Sequence, residues 1–272
     1  MPVSHRIPAI ILLPLIHLSI DSNNFPPWSS FSEKNRMPVL IVLFGPSGSG
    51  KSQFVKHVTG QAVNTGVAGG AKPCTTECKR YDITLKGEDF IIIDTPGFED
   101  SPPGSIKPLV KIARTLQAIG SSEITGAVYF HRITDGRLTG SLRSNLEIFR
   151  QICGEDFFPR VAFATTMWDI VGQKASTRYE NINQELGRRY LRFGETGPEI
   201  FKCSNNEASC RRVLDHFSNF ASTAEGKTPA QLLLLKELSS KSVTESSVRK
   251  TSAGREAMRK TGGNRGGLCV IL

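Results

Sequence analysis

A three-layer α/β domain around a mainly parallel sheet is what this sequence predicts, and three observations predict it. Short apolar, β-branched runs such as Val39-Leu40-Ile41-Val42-Leu43-Phe44 and Phe90-Ile91-Ile92-Ile93 read as strands buried on both faces. They alternate with segments whose apolar residues recur at helical spacing. The first run leads straight into Gly45-Pro46-Ser47-Gly48-Ser49-Gly50-Lys51-Ser52, which fits the phosphate-binding pattern G-x-x-x-x-G-K-[ST] in its strand-to-helix setting.

The elements follow in chain order. After the first strand, the glycine-rich turn aims backbone N–H groups and the positive end of the helix continuing through Gln53–Val58 at an anion. Lys51 there reaches the β- and γ-phosphates, and Ser52 gives its hydroxyl to Mg²⁺. Thr59 to Thr76, with Gly60, Gly66, Gly69 and Gly70, is a poor helix or strand and reads as a mobile loop. Thr75, with Thr76 as the alternative, closes that loop where it can hold Mg²⁺ beside a γ-phosphate and release it afterwards. Tyr81–Leu85 is a strand. Phe90–Ile93 is the next, running into Asp94-Thr95-Pro96-Gly97. Asp94 at that strand end holds the Mg²⁺ shell, and the turn allows the Gly97 N–H to face a γ-phosphate.

Ser105–Ile119 is predicted helical and is stopped by Gly120. Gly126–Phe130 is a strand, Leu142–Ile152 a helix, Val161–Thr165 a buried strand and Tyr179–Phe193 a helix. The strand Val161–Thr165 ends in Thr166-Met167-Trp168-Asp169. The Asp169 carboxylate there can accept from N1–H and N2–H₂ of guanine, a pair of donors adenine lacks. Nucleotide hydrolases selective for guanine usually carry Asn-Lys-x-Asp at this place; this chain has Thr and Met in the first two positions. Met167 can still pack on a base face. The last strand, Glu199–Lys202, leads to Cys203-Ser204-Asn205, where guanine-selective nucleotide hydrolases carry a short base-backing loop, with Ser204 as the candidate contact. Pro229 opens a helix around Leu232–Leu235, read as a packing or partner-binding surface. From about Ser239 the chain is Ser/Lys/Arg-rich and predicted flexible, with at most a short helix.

Composition sets bounds on these readings. At 272 residues the chain is long enough for one sizeable domain with extensions. Its six cysteines (Cys74, Cys78, Cys153, Cys203, Cys210, Cys269) form no C-x-x-C pair, which suggests reduced thiols in a reducing compartment. The net charge is +9, and +5 of it lies in residues 241–272. A nucleic-acid-binding core is therefore not indicated. The expected divisions are an N-terminal extension over 1–36, disordered or upstream of a start at Met37; a core domain over 37–224; a helix over 225–240; and a basic flexible tail over 241–272. Ile7–Ile20 is apolar but interrupted by Pro8, Pro14 and His17, is too short to span a bilayer, and is followed by no small-residue cleavage site. Cys269-Val270-Ile271-Leu272 fits the C-a-a-X prenylation pattern, with Leu favouring geranylgeranyl. The cations upstream supply the second attraction that a single lipid chain needs. Together they predict a peripheral protein on the cytoplasmic face of an anionic membrane.

Gly45–Ser52, Asp94-Thr95-Pro96-Gly97-Phe98, Tyr129-Phe130-His131-Arg132-Ile133-Thr134-Asp135 and Thr165-Thr166-Met167-Trp168-Asp169 occur in an order that resembles fungal G-domain proteins. Those are related to the immunity-associated and chloroplast-translocon GTPases of the septin-like branch. The resemblance spans roughly residues 39–260 and implies a P-loop NTPase fold of G-domain type, GTP and GDP as ligands, Mg²⁺ dependence and contact between two G domains.

Lys51 and Thr75 are the candidate catalytic residues. Small GTPases position the attacking water with a Gln just after the Gly of the D-x-x-G turn; this chain has Phe98, which cannot orient water, so slow intrinsic hydrolysis is expected. His131, Arg132 and Arg137 are candidates for completing the site. Three functions compete at this point: a membrane-tethered GTP switch, a GTP-binding scaffold that oligomerises and barely hydrolyses, and an ATP-using P-loop enzyme.

Overall fold

In the computed structural model, residues 37–65, 75–97, 105–120, 124–135, 140–171, 176–189, 197–239 and 242–262 are described. Strand β1 (Val39–Phe44) is buried along its whole length and feeds helix α1 (Lys51–Thr59). Strands β2 (Lys79–Leu85) and β3 (Glu88–Asp94) form a hairpin, followed by α2 (Lys107–Ile119) and β4 (Ile124–Arg132). Helix α3 (Gly140–Cys153) and a 3₁₀ turn (Glu155–Arg160) lead to β5 (Val161–Thr166). Then come α4 (Ser176–Arg189), β6 (Glu199–Lys202) and α5 (Glu207–Ser222).

The six strands lie in the order β2-β3-β1-β4-β5-β6, and only the β2–β3 pairing is antiparallel. Alternation along β1 divides the core, because successive side chains on a strand point to opposite faces. Leu40, Val42 and Phe44 join a cluster with α2, α3 and Leu186 of α4. Val39, Ile41 and Leu43 join the opposite cluster with Phe54, Val55 and Val58 of α1 and Val213, Leu214 and Phe217 of α5. The predicted three layers are therefore present. Parallel pairing brings the loops after β1, β3, β4, β5 and β6 to one edge of the sheet, where ligands of such sheets bind.

The C-terminal region differs from the sequence expectation. After α6 (Ala224–Lys227), the Leu-rich segment is helical only over α7 (Leu233–Leu238), not from Pro229. Leu232, Leu234, Leu235 and Leu238 are buried in the core cluster, so of the two roles expected for this run it takes the packing one. Residues predicted flexible form α8 (Glu245–Arg249) and α9 (Ser252–Gly262). Thr244 and Ser247 make a reciprocal capping box that starts α8. Val248 and Ala253 are fully buried, α8 packs on α2 and α9 on α3. The Glu237 carboxylate accepts from the Ser252 N–H and hydroxyl, both at 2.8 Å, fixing the start of α9. The segment through Met258 thus packs against the sheet's helical layer. Among the described residues no helix is long and apolar enough to cross a membrane.

Candidate nucleotide site

The loop between β1 and α1 needs its glycines. Gly45 has φ +136°, and a Cβ there would lie 2.4 Å from the Phe130 carbonyl oxygen of neighbouring β4. Gly50 has φ +92° and lies against Thr166 of β5. Positive φ disfavours larger residues at both positions, and at Gly45 the close backbone approach excludes them. Lys51 is almost wholly buried, and its Nζ donates to the carbonyls of Gly45 (3.0 Å) and Pro46 (2.9 Å). The loop thus folds back over its own lysine and holds the ammonium among the residues that the pattern assigns to phosphate. Pro46, Ser47, Gly48 and Ser49 complete the turn; Ser49 is buried and its Oγ has no hydrogen-bond partner among the described residues.

Three residues predicted to handle Mg²⁺ converge. Ser52 Oγ donates to Asp94 Oδ2 at 2.6 Å, Thr75 Oγ1 donates to the same oxygen at 3.3 Å, and the two hydroxyl oxygens are 3.0 Å apart. The β1–β3 register explains the position of Asp94, which pairs with Leu43 at the strand end just before the loop. Thr95 Oγ1 donates to the Leu43 carbonyl at 2.6 Å and fixes the turn that continues to buried Gly97. Thr75 rather than Thr76 is the residue brought to the site, since Thr76 is exposed and its carbonyl accepts from Lys111 Nζ at 2.7 Å. Asp94 is fully buried. Desolvation pushes its carboxyl above the usual range, while the Lys51 ammonium and the two hydroxyls pull it down. Its Oδ1 has no hydrogen-bond partner among the described residues. A buried carboxylate with one orphaned oxygen and two hydroxyls on the other is a hard oxygen donor set, and it fits Mg²⁺.

On β4, the structure separates two neighbouring candidates. Alternation puts Arg132 and His131 on opposite faces of the strand. The Arg132 guanidinium approaches Gly48: a Cβ there would be 3.4 Å from Nη1, and Nε is held by Asp135 at 3.0 Å. His131 is 4% exposed, and neither ring nitrogen has a hydrogen-bond partner among the described residues. Burial pushes its pKa down to about 4, with Asp135 opposing that shift and Arg132 adding to it. The imidazole is therefore neutral at pH 7 and packed as an apolar ring.

This burial has a measurable cost on the acid side. The unfolded imidazole takes a proton near pH 6.5 and the folded one only near 4, so stability falls as pH drops between those values. The loss attributable to His131 is on the order of 3 kcal/mol at pH 4. His131→Phe should flatten this fall in urea-unfolding free energies measured from pH 7 to 4; equal slopes would refute the assignment.

At the end of β5, where the sequence predicts base recognition, Met167 has φ +64°, a left-handed conformation uncommon for a side chain of this kind. It turns the chain off β5 into a 3₁₀ turn (Trp168–Ile170) that presents Asp169 at the surface. Ser204 follows β6 next to it; its carbonyl accepts from the Asn206 N–H at 2.7 Å and the Ser209 hydroxyl at 2.8 Å.

Several contributors were not singled out by the sequence. Thr166 Oγ1 donates to the Ser49 carbonyl at 2.8 Å, tying the end of β5 to the phosphate loop. Asn205 Oδ1 accepts from Gln53 and His57 of α1 at 2.9 and 2.7 Å, tying the loop after β6 to the same helix. Cys78, Cys153, Cys203 and Cys210 are buried free thiols, and no group of metal-binding side chains of the His/Cys/Asp/Glu kind occurs among the described residues. Phe98, Arg137 and Cys269 lie outside the described residues, as do the loop glycines Gly66, Gly69 and Gly70.

Residues 40–149 match a family model described as 50S ribosome-binding GTPase. Among solved structures, Toc33 from Arabidopsis thaliana in complex with GDP and Mg²⁺ aligns at a TM-score of 0.51 and 17% identity, over 74% of this chain and 88% of that one. Toc33 with Mg²⁺ and GMPPNP aligns at 0.49 and 16%, over 84% of this chain and 88% of that one. Aquifex aeolicus Era bound to GDP and AlF4⁻ aligns at 0.49 and 16%, over 67% of this chain and 57% of that one. At its identity the first of these speaks to fold alone. The family match spans β1 to α3, and with the sheet order and loop geometry described above the chain has the fold of a P-loop G domain.

Proposed function

We propose that the chain binds GTP and GDP with Mg²⁺ at the Gly45–Ser52 edge and works as a slow nucleotide switch held at a membrane. The observation that carries the nucleotide part is the convergence of Ser52, Thr75 and Asp94 beside the Lys51 ammonium. Bound there, Mg²⁺ would neutralise charge on the β- and γ-phosphate oxygens. Lys51 binds and orients the phosphates, Ser52 and Thr75 supply neutral oxygen donors, and Asp94 supplies the negative charge that retains the cation. Toc33, whose structure holds GDP and Mg²⁺, has the same kind of fold and supports the choice of ligand.

Guanine selectivity rests on Asp169, which is exposed to a ligand at the end of β5. Titration of the metal-loaded protein with GTP and ATP should show preference for GTP, and Asp169→Asn should abolish it. Equal affinity of the unaltered protein for the two nucleotides would sink the guanine reading.

The absence of a water-orienting side chain at Phe98 supports slow turnover and keeps a second reading open, a GTP-binding scaffold that assembles through its G domains. Single-turnover hydrolysis measured over a range of protein concentrations distinguishes them. Rates that climb with concentration indicate that a second copy completes the site. The membrane part of the proposal rests on Cys269-Val270-Ile271-Leu272 and on the cations of residues 241–272. Recruitment to membranes that survives Cys269→Ser would remove the lipid from the account.

A further inference from the structure

The segment after β5 departs from the usual Asn-Lys-x-Asp, and the structure shows what stands in its place. Trp168 is half-buried, with its indole N–H donating to both Thr165 O (3.1 Å) and Thr165 Oγ1 (3.0 Å). Thr165 is fixed in turn: its carbonyl also accepts from the Cys203 N–H at 2.8 Å, and its Oγ1 donates to the Phe201 carbonyl at 3.3 Å. The ammonium of Lys202 lies over the indole, 5.1 Å from the ring centroid. Lys202 is the residue that pairs with Thr165 across β5–β6, and Glu180 of α4 holds its Nζ at 2.5 Å through Oε1. One side chain thus connects the turn bearing Asp169 to β5, β6 and α4.

From this we infer that Trp168 is the positioning residue for guanine recognition. Asp169 is exposed and sits in a single 3₁₀ turn that follows a residue of positive φ. A turn so short has little rigidity of its own. Two carboxylate oxygens can accept from two adjacent donors only if the carboxylate plane is held, and held before the base arrives. The Trp168 hydrogen bonds lock the turn on one side, and the Lys202 cation–π contact, anchored by Glu180, locks it on the other. Thr166 adds the register by tying the same segment to the Ser49 carbonyl, so base site and phosphate site are built on one frame. The inference rests on the guanine reading above and adds to it the device that makes Asp169 selective without Asn and Lys.

The test is the ratio of GTP to ATP affinity, measured by calorimetry on the full chain with Mg²⁺. Phosphate and metal contacts are common to both nucleotides, so a change that merely loosens the fold weakens both and leaves the ratio unmoved. Trp168→Phe keeps the ring and removes the N–H; it should lower the ratio about tenfold, through weaker GTP binding alone. Lys202→Met should lower it about threefold, and Lys202→Arg, which keeps a cation over the ring, should restore it to within about twofold. Ratios unchanged in Trp168→Phe and Lys202→Met, or parallel losses of GTP and ATP, would overturn the inference while leaving the guanine reading standing. A ratio near one in the unaltered protein would overturn both, and that arm is read first. If Trp168→Phe does not fold, the Lys202 pair decides alone.

Discussion

Lys51→Met is expected to weaken binding of GTP and GDP by a factor of about one hundred to one thousand while leaving the fold in place. The factor follows from two charge-assisted hydrogen bonds to phosphate oxygens, each contributing about 1.5–2 kcal/mol, the lower part of the range for charged partners. The lysine is almost wholly buried and its Nζ already lies among the loop carbonyls of Gly45 and Pro46, so its rotamer entropy is spent before the nucleotide arrives. Methionine keeps the apolar stem and the packing of α1, and it removes only the ammonium. The far-ultraviolet circular dichroism should therefore match that of the unaltered protein, while calorimetric titration loses its signal at micromolar nucleotide. An affinity within about fivefold of the original would show that the loop does not hold phosphate through Lys51.

What could be read from the sequence, and what could not, divides along a physical line. That Gly45–Ser52 and Asp94 lie together at the end of adjacent strands was legible because each belongs to a local pattern, a strand run before a glycine-rich loop and an Asp-Thr-Pro-Gly turn. The choice between Thr75 and Thr76 after the glycine-rich stretch was not, and only the packed chain brings Thr75 to Asp94. The contacts that join these patterns were illegible. Thr166 to the Ser49 carbonyl crosses from β5 to the phosphate loop. Glu180, Lys202 and Trp168 come from three elements and meet only once α4, β6 and β5 are packed. The C-terminal helices fall in the same class. Residues 242–262 are rich in Ser, Lys and Arg, with Val243, Val248, Ala253, Ala257 and Met258 as their apolar positions. Such a segment has little helical stability alone, and its order comes from the apolar faces that α2 and α3 present to it. Composition alone therefore predicted a loose tail where tertiary packing gives a covering layer.

Asp94→Asn separates function from stability in opposite directions. The carboxylate is fully buried, its Oδ1 lacks a hydrogen-bond partner among the described residues, and desolvation holds its pKa above the usual carboxylate value of 3.8. The folded state thus keeps the proton to a higher pH than the unfolded state does. This group adds stability below pH 3.8, and that contribution is lost as pH rises through the folded value, leaving an unfavourable buried charge at neutrality. An amide of the same shape carries no charge and can still hydrogen-bond the Ser52 and Thr75 hydroxyls. The nucleotide-free variant should accordingly be as stable as the original at pH 7 or more so, by about 1 kcal/mol. Its advantage should vanish as pH falls toward 3.8. Mg²⁺-dependent nucleotide binding should move the other way. With only neutral oxygens left around the cation, the gain in GTP affinity on adding Mg²⁺ should shrink about a hundredfold. In the unaltered protein that same gain should decline on acidification, because the metal competes with the proton for Asp94. Urea unfolding without nucleotide, paired with GTP titrations with and without Mg²⁺, reads both effects. A variant that loses stability at pH 7 yet keeps the Mg²⁺ gain would make Asp94 a structural carboxylate and leave the cation to other ligands.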